Sequence, residues 1–380
     1  MKIWKRIPYA WRLAFILWLG MRLLLWALSG VLSANGLLPL TDSHYYTLQP
    51  INDGWLGWLF GAWLRWDGVY YDVIVQQGYH ALPQLSAFFP LYPLLARPLF
   101  WMGMHPLVAL VLVGNLAFLL ALILILEEVE LLLGREYLLA TGLAVVVFPT
   151  SFYFYAPYPH SLALLLILIA WRWARQGQWL ACALAGLALG LTHSSVIPLV
   201  VVLFIQAVRS LQTAPAKLGW ARLAVPFMPL AGVAGFLAWR VAQGFPPFGE
   251  VQYQFWQTEF LGPLEVLRQF VYQMFHGREL AWFALVFLAA SILALVWLIR
   301  RKLTMESAYM TSLILFLLCV TMPNVPLGSF SRLIIIGFPI YFVMAAWMKR
   351  SRWAYRLILT FSGVLYFIMC FAYLSWMWVA

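Results

Sequence analysis

Aspartate is scarce in this chain. There are four, Asp42, Asp53, Asp67 and Asp72, and none follows residue 72. Charged residues of both signs make up only 10% of the sequence, and cysteine is limited to Cys182, Cys319 and Cys370. Each shortage excludes something. Three cysteines in apolar segments give neither a metal-ligand spacing nor a disulfide framework, and they read as small buried hydrophobes. No Asp-x-Asp pair occurs, so the clustered oxygens that a hard cation needs have no sequence signature, and no metal or other cofactor is expected. The net charge of +11 comes from Lys and Arg in short clusters between apolar runs. That is not a basic stripe with interleaved aromatics, so nucleic acid is excluded as a partner.

Hydrocarbon is what the chain has in quantity. Hydrophobic residues make up 64% and the mean hydropathy is +0.87, more apolar surface than a soluble core can use. Apolar runs of about 17–25 residues recur, the length of a membrane-spanning helix. The alternating strands of about ten residues that mark a membrane barrel are missing. The expected class is therefore an all-α polytopic membrane protein, because only helices and closed barrels satisfy their backbone in lipid. It reads as one domain over residues 1–380, with no internal repeat.

Eleven spans are expected, at about 10–33, 106–127, 137–156, 160–174, two within 178–208, then 219–242, 279–299, 305–321, 332–348 and 354–377. The run 178–208 would be about 46 Å long as one helix, well beyond the roughly 30 Å bilayer core. It is split at Thr192–Ser195. With that split, Lys2/Lys5/Arg6, Arg172/Arg175, Arg209/Lys217, Arg300/Arg301/Lys302 and Lys349/Arg350/Arg352 share one side, which the positive-inside rule makes the cytoplasm. The basic N-terminus is then an uncleaved, cytoplasmic start to the first span. A long first outer loop, 34–105, and a second, 243–278, lie on the other side. The first is expected to carry short interfacial helices at 54–66 and 68–79, with Trp55, Trp58, Trp63 and Trp66 in an aromatic belt.

Four constellations stand out. The densest runs Arg65-Trp66-Asp67-Gly68-Val69-Tyr70-Tyr71-Asp72 and on to Gly78-Tyr79. From local sequence the plainer role for Asp67 is a helix N-cap. Asp72 lies about 140° around a helix from it, so the two do not face one another. Asp42 and Asp53 read as caps or turns. The second constellation is Phe88-Phe89-Pro90-Leu91-Tyr92-Pro93, whose prolines argue against a helix interior and for an elbow. The third is Phe148-Pro149-Thr150-Ser151-Phe152, continuing to Ala156-Pro157-Tyr158-Pro159-His160-Ser161. The fourth is Ser329-Phe330-Ser331-Arg332, leading to Gly337-Phe338-Pro339. Its arginine either snorkels to the interface or binds a phosphate.

Together these resemble the PIG-V-type mannosyltransferases of the GT-C superfamily. The resemblance rests on Trp66-Asp67 with Tyr71 and Gly78-Tyr79, on the run 88–93, on Phe148-Pro149 with Ala156-Pro157-Tyr158, and on Arg332 before Phe338-Pro339, with a weaker echo in Gln254 and Trp256. These pieces fall in order across nearly the whole chain. Two positions depart from the family pattern: His160 stands where a glutamate is common, and His193 where an arginine is common.

The resemblance implies a GT-C-like fold and an enzyme with its site at the outer, extracytoplasmic face, while the short loops and compact size point to a prokaryotic plasma-membrane protein. It implies transfer of a sugar, mannose in that family, from a polyprenyl-phosphate donor to a lipid-linked or glycan acceptor. Inverting displacement of a phosphate needs a base on the acceptor hydroxyl and positive charge on the leaving group. Asp67 is the expected base. Arg332 is the expected phosphate binder, with Arg65 and Arg97 in second rank. Tyr71, Asp72, Tyr158, His160, His193, Gln254 and Trp256 are the expected pocket. The alternatives are a lipid or lipid-linked-sugar transporter, for which Arg12, Arg22, His193 and Arg240 are ionisable candidates inside apolar runs, and a non-catalytic scaffold subunit.

Overall fold

The computed structural model describes residues 7–38, 54–213, 219–276, 279–322 and 325–379. Asp42 and Asp53 lie outside the described residues, as do Lys2, Lys5, Arg6 and Lys217. The chain is helical almost throughout. In order it forms α1 (Tyr9–Ala34), α2 (Gly54–Phe60), α3 (Asp67–Gln77), α4 (Leu91–Trp101), α5 (Pro106–Leu132), α6 (Leu138–Val146), α7 (His160–Arg175), α8 (Trp179–Gly190) and α9 (Ile197–Thr213). Then follow α10 (Met228–Ala242), α11 (Phe248–Trp256), α12 (Pro263–Phe275), α13 (Glu279–Arg300), α14 (Thr304–Leu317), α15 (Phe330–Leu333), α16 (Pro339–Met348) and α17 (Arg352–Leu374). Among the described residues the only sheet pairs β1 (Glu259–Phe260) with β2 (Val320–Thr321), antiparallel, Glu259 opposite Thr321.

Among the described residues, five helices are long and apolar enough to cross a membrane: Tyr9–Ala34, Pro106–Leu132, Gly219–Ala242, Trp282–Arg300 and Arg352–Leu374. A sixth is possible if Phe330–Ile336 and Pro339–Met348, bent by 89°, form one span. The protein is thus an all-α, membrane-embedded chain. The span expected over 137–156 is not one helix: α6 stops at Val146, and a 3-10 turn follows at Ser151–Phe154. Pro149 explains the break, since it offers no N–H to an α-helical ladder.

Two further expectations are corrected. The elbow expected at 88–93 gives way to a helix at Leu91. Pro93 falls in the first turn of α4, where N–H groups have no intrahelical partner anyway. Pro98 lies inside the helix, leaving the carbonyl of Leu94 without its donor, and Leu94 is on an exposed face. The aromatic belt also loses a member. Trp55 and Trp58 are exposed, but Trp63 is fully buried and its Nε1 donates to Ser29 Oγ at 3.3 Å.

The chain divides into two compact units, residues 1–81, 92–165 and 341–379 in the first, and 82–91 with 166–340 in the second. In the first, α1 packs on α5, α6 and α2. The buried loop between α6 and α7 is held there by side chains that take up its carbonyls. Arg22 Nη1 donates to the Tyr155 carbonyl at 3.0 Å and Asn115 Nδ2 to the same oxygen at 3.2 Å. Ser161 Oγ donates to the Phe154 carbonyl at 2.8 Å. Buried backbone groups need such partners.

In the second unit α8 and α10 cross backbone to backbone. A Cβ on Gly190 would strike the Pro229 carbonyl, and one on Gly232 would come within 2.9 Å of Gly190 Cα. Small residues at such a crossing allow the close approach that stabilises helix pairs in lipid. Phe338 is buried against Trp171, edge-on at 5.1 Å, and beside Tyr309, whose hydroxyl donates to the Ile336 carbonyl at 3.0 Å.

Candidate functional site

Asp67 opens α3 and is half-buried. It is the first helical residue. The cap position belongs to Trp66, which supplies no side-chain cap. A carboxylate in this first turn interacts favourably with the helix dipole. Gly68 N–H donates to the Arg65 carbonyl at 3.0 Å, closing a four-residue turn just before the helix. Trp66, second in that turn, has φ 52° and ψ −128°, values close to the first corner of a type II′ turn, where glycine is usual. For a bulky residue this backbone costs on the order of 1–3 kcal/mol and persists only where its surroundings impose it.

The surroundings are aromatic. Asp67 N–H donates to the Tyr158 hydroxyl at 3.2 Å. Around Tyr158 stand Tyr153 at 5.0 Å, His160 at 5.7 Å and Tyr373 at 6.2 Å between ring centroids. All four rings are buried, and the Asp67 carboxylate interacts electrostatically with Tyr373. Gly68 lies flat against Pro157: a Cβ there would be 2.7 Å from Pro157 Cγ. The first and third constellations of the sequence thus meet at Asp67–Gly68 and Pro157–Tyr158.

The other expected residues of this unit are placed as follows. Tyr71 is buried edge-on against Tyr92 at 5.2 Å, joining the first constellation to the second. Tyr92 in turn donates to the Leu110 carbonyl at 2.8 Å. Arg97 is half-buried with its guanidinium over Trp101 at 5.5 Å. Arg65, expected as a phosphate binder, is only 1% exposed. Its Nε donates to the Leu374 carbonyl at 2.9 Å and its Nη1 to the Leu64 carbonyl at 3.2 Å, so the guanidinium is directed into the protein.

Asp72 is fully buried. Gln76 Nε2 donates to its Oδ2 at 2.6 Å, while Oδ1 has no hydrogen-bond partner. Burial pushes its pKa up to about 7, and the Gln76 bond opposes that only in part. One helix therefore carries two carboxyls in contrasting settings, Asp67 half-exposed at its start and Asp72 sealed within the fold.

In the second unit, His193 sits in the connector between α8 and α9. Its Nδ1 accepts the Ser195 N–H at 3.1 Å, so in the neutral ring Nε2 carries the proton. Burial, and then the nearby Arg332 charge, lower its pKa to about 4. Arg332 is half-buried and reaches Ser329 Oγ at 3.4 Å. Trp256 packs edge-on against Phe88 at 5.5 Å, while Gln254 is exposed on α11. Phe89 lies against Phe236 at 5.0 Å. Arg240 is buried, with Nη2 donating to the Pro246 carbonyl at 2.9 Å and to Ser86 Oγ at 3.2 Å. His160 and His193 belong to different units.

Searches against protein-family models, curated proteins and solved structures found no match to this chain. The site is therefore defined by its own geometry. Sequence reasoning missed three contributors. Tyr153 falls between the two parts of the third constellation, after Phe152 and before Ala156, and carries no signal of its own. Tyr373 and Trp376 are some 300 positions from Asp67, and no local pattern connects them to it.

Proposed function

We propose that this chain is a membrane glycosyltransferase with a GT-C-like fold. It moves a sugar, mannose by resemblance, from a polyprenyl phosphate to a lipid or glycan acceptor at the outer face of a prokaryotic plasma membrane. Eleven crossings, with the N-terminus in the cytoplasm, require α6, α7, α8, α9, α14 and the bent α15–α16 pair to cross as short or broken helices. The acceptor hydroxyl attacks the anomeric carbon as the bond to the phosphate oxygen breaks, inverting the centre. Asp67 takes the hydroxyl proton, and the departing phosphate is neutralised by Arg332, whose fork suits phosphate. The observation that carries this reading is the setting of Asp67: a half-exposed carboxylate on a strained turn, its N–H fixed by the buried Tyr158 hydroxyl and its charge near Tyr373. A carboxylate so held, and still open to solvent, is placed to accept a proton.

Two features support this reading over a transporter. Arg22 and Arg240, ionisable groups within apolar runs, serve loop carbonyls and hydroxyls. The chain also shows no internal repeat of the kind many transporters carry. The test is transfer from radiolabelled polyprenyl-phosphate mannose by the protein in nanodiscs containing host lipid extract. Wild type should label a lipid or glycan product. Asp67→Asn should fold normally and lose roughly a hundredfold or more, the scale of a missing general base. A fully active Asp67→Asn overturns the assignment.

A further inference from the structure

The turn that presents Asp67 is fastened by residues remote in sequence, at the end of α17. Tyr373 hydroxyl donates to the Trp63 carbonyl at 3.0 Å. The Leu374 carbonyl accepts Arg65 Nε at 2.9 Å. Trp376 packs its ring against Trp66 at 5.7 Å and lies under the Arg65 guanidinium at 5.0 Å. Trp63, Arg65 and Trp66, three of the four residues preceding Asp67, are each held from this one segment.

Trp376 has a backbone peculiarity of its own. α17 ends with Met377 N–H donating to the Ala372 carbonyl at 2.9 Å, the longer bond of a Schellman motif. In that motif the residue before the donor takes a left-handed conformation and is usually glycine. Here it is Trp376, with φ 60°. Trp66 and Trp376 thus both occupy backbone positions that favour glycine, and their rings touch. Neither backbone requires tryptophan, so what the two positions have in common is the ring contact.

We propose that Arg65, Tyr373 and Trp376 are positioning residues that hold the 63–66 turn in register and thereby aim the Asp67 carboxylate. This rests on the reading of Asp67 as the base. Arg65 then acts through the turn and not on the donor phosphate. The fourth member of the array, Tyr158, takes the Asp67 N–H directly and touches the Tyr373 ring.

The experiment uses the full chain in nanodiscs and two readouts: amide hydrogen exchange of peptides covering residues 61–72, and transfer from polyprenyl-phosphate mannose. Trp376→Gly relieves the backbone and removes the ring, so it should fold. It should raise exchange across 61–72 at least tenfold and lower kcat at least tenfold, with donor KM within twofold. Trp376→Phe should recover most of both, and Arg65→Lys, which loses the planar fork, should behave as Trp376→Gly does. Unchanged exchange in Trp376→Gly overturns the clamp whatever Asp67 does. Raised exchange with unchanged kcat, where Asp67→Asn is inactive, overturns the positioning role alone. A fully active Asp67→Asn overturns the base assignment and the positioning role with it, and is recognised separately because it needs no clamp variant.

Discussion

Gln76 donates to Asp72 Oδ2 at 2.6 Å from one turn further along α3, while the carboxyl's other oxygen is buried without a hydrogen bond. The neutral acid is the form this site accommodates. With a folded pKa of about 7 against an ordinary value of 3.8, the native state holds a proton that the unfolded chain releases. The stability from the neutral form is complete below about pH 4 and is lost as pH rises to about 7. Thermal unfolding in detergent should show a lower Tm at pH 8 than at pH 5. Asp72→Asn, which keeps an acceptor for Gln76 but cannot ionise, should flatten that difference. An equal pH dependence in the variant contradicts the prediction.

His193 predicts the opposite slope. Its folded pKa of about 4 lies below the ordinary 6.5 because burial and Arg332 disfavour the imidazolium. The unfolded chain therefore binds the extra proton first, and stability falls as pH drops from about 6.5 toward 4. His193→Asn retains an acceptor for the Ser195 N–H and should remove this acid sensitivity. Arg332→Gln should reduce it without abolishing it, because burial is the larger cause. Tm measured between pH 7 and 4.5 on the three proteins checks the ordering.

The α8–α10 crossing gives a paired prediction. Gly190→Ala places a methyl on the Pro229 carbonyl, a backbone atom that cannot swing away. Overpacking of this kind costs about 1–3 kcal/mol, so a Tm drop of several degrees is expected. Gly235→Ala, on α10 with nothing within 4 Å of the new Cβ, should be neutral or raise Tm, since alanine is the better helix former by up to about 1 kcal/mol. Equal losses in both variants would show that the close crossing is unimportant.

The proposed sugar transfer should continue in excess chelator. A polyprenyl phosphate is already a good leaving group, and an arginine can neutralise it. Activity lost in chelator and restored by manganese or magnesium contradicts this and would direct attention to Asp42 and Asp53.

The membrane class was legible because composition alone demands it, and α1, α5, α10, α13 and α17 lie where long apolar runs placed them. Short helices expected at 54–66 and 68–79 lie close to α2 and α3, since turn residues mark their ends, but α3 is buried along most of its length and is not a surface helix. Span integrity was less legible: Pro149 breaks a run that hydropathy reads as continuous, while Pro93 and Pro98 fail to break one that they punctuate. Asp67 is singled out through the resemblance; local sequence alone reads it as a helix cap, a position that falls to Trp66 instead. The burial of Asp72 could not be read at all, as it depends on helices packed from elsewhere. Arg65 was misjudged for the same reason: a carbonyl partner 309 residues away leaves no mark near position 65.

That separation has a consequence for biogenesis. Leu374 is added to the chain 309 residues after Arg65. At a synthesis rate of about 5–20 residues per second, the interval is roughly 15–60 s. For nearly all of it, Asp67 is part of the chain while the carbonyl and the indole that pin its turn do not yet exist. A nascent chain therefore carries its carboxylate unaimed until α17 is in place, and maturation of this site is timed by translation.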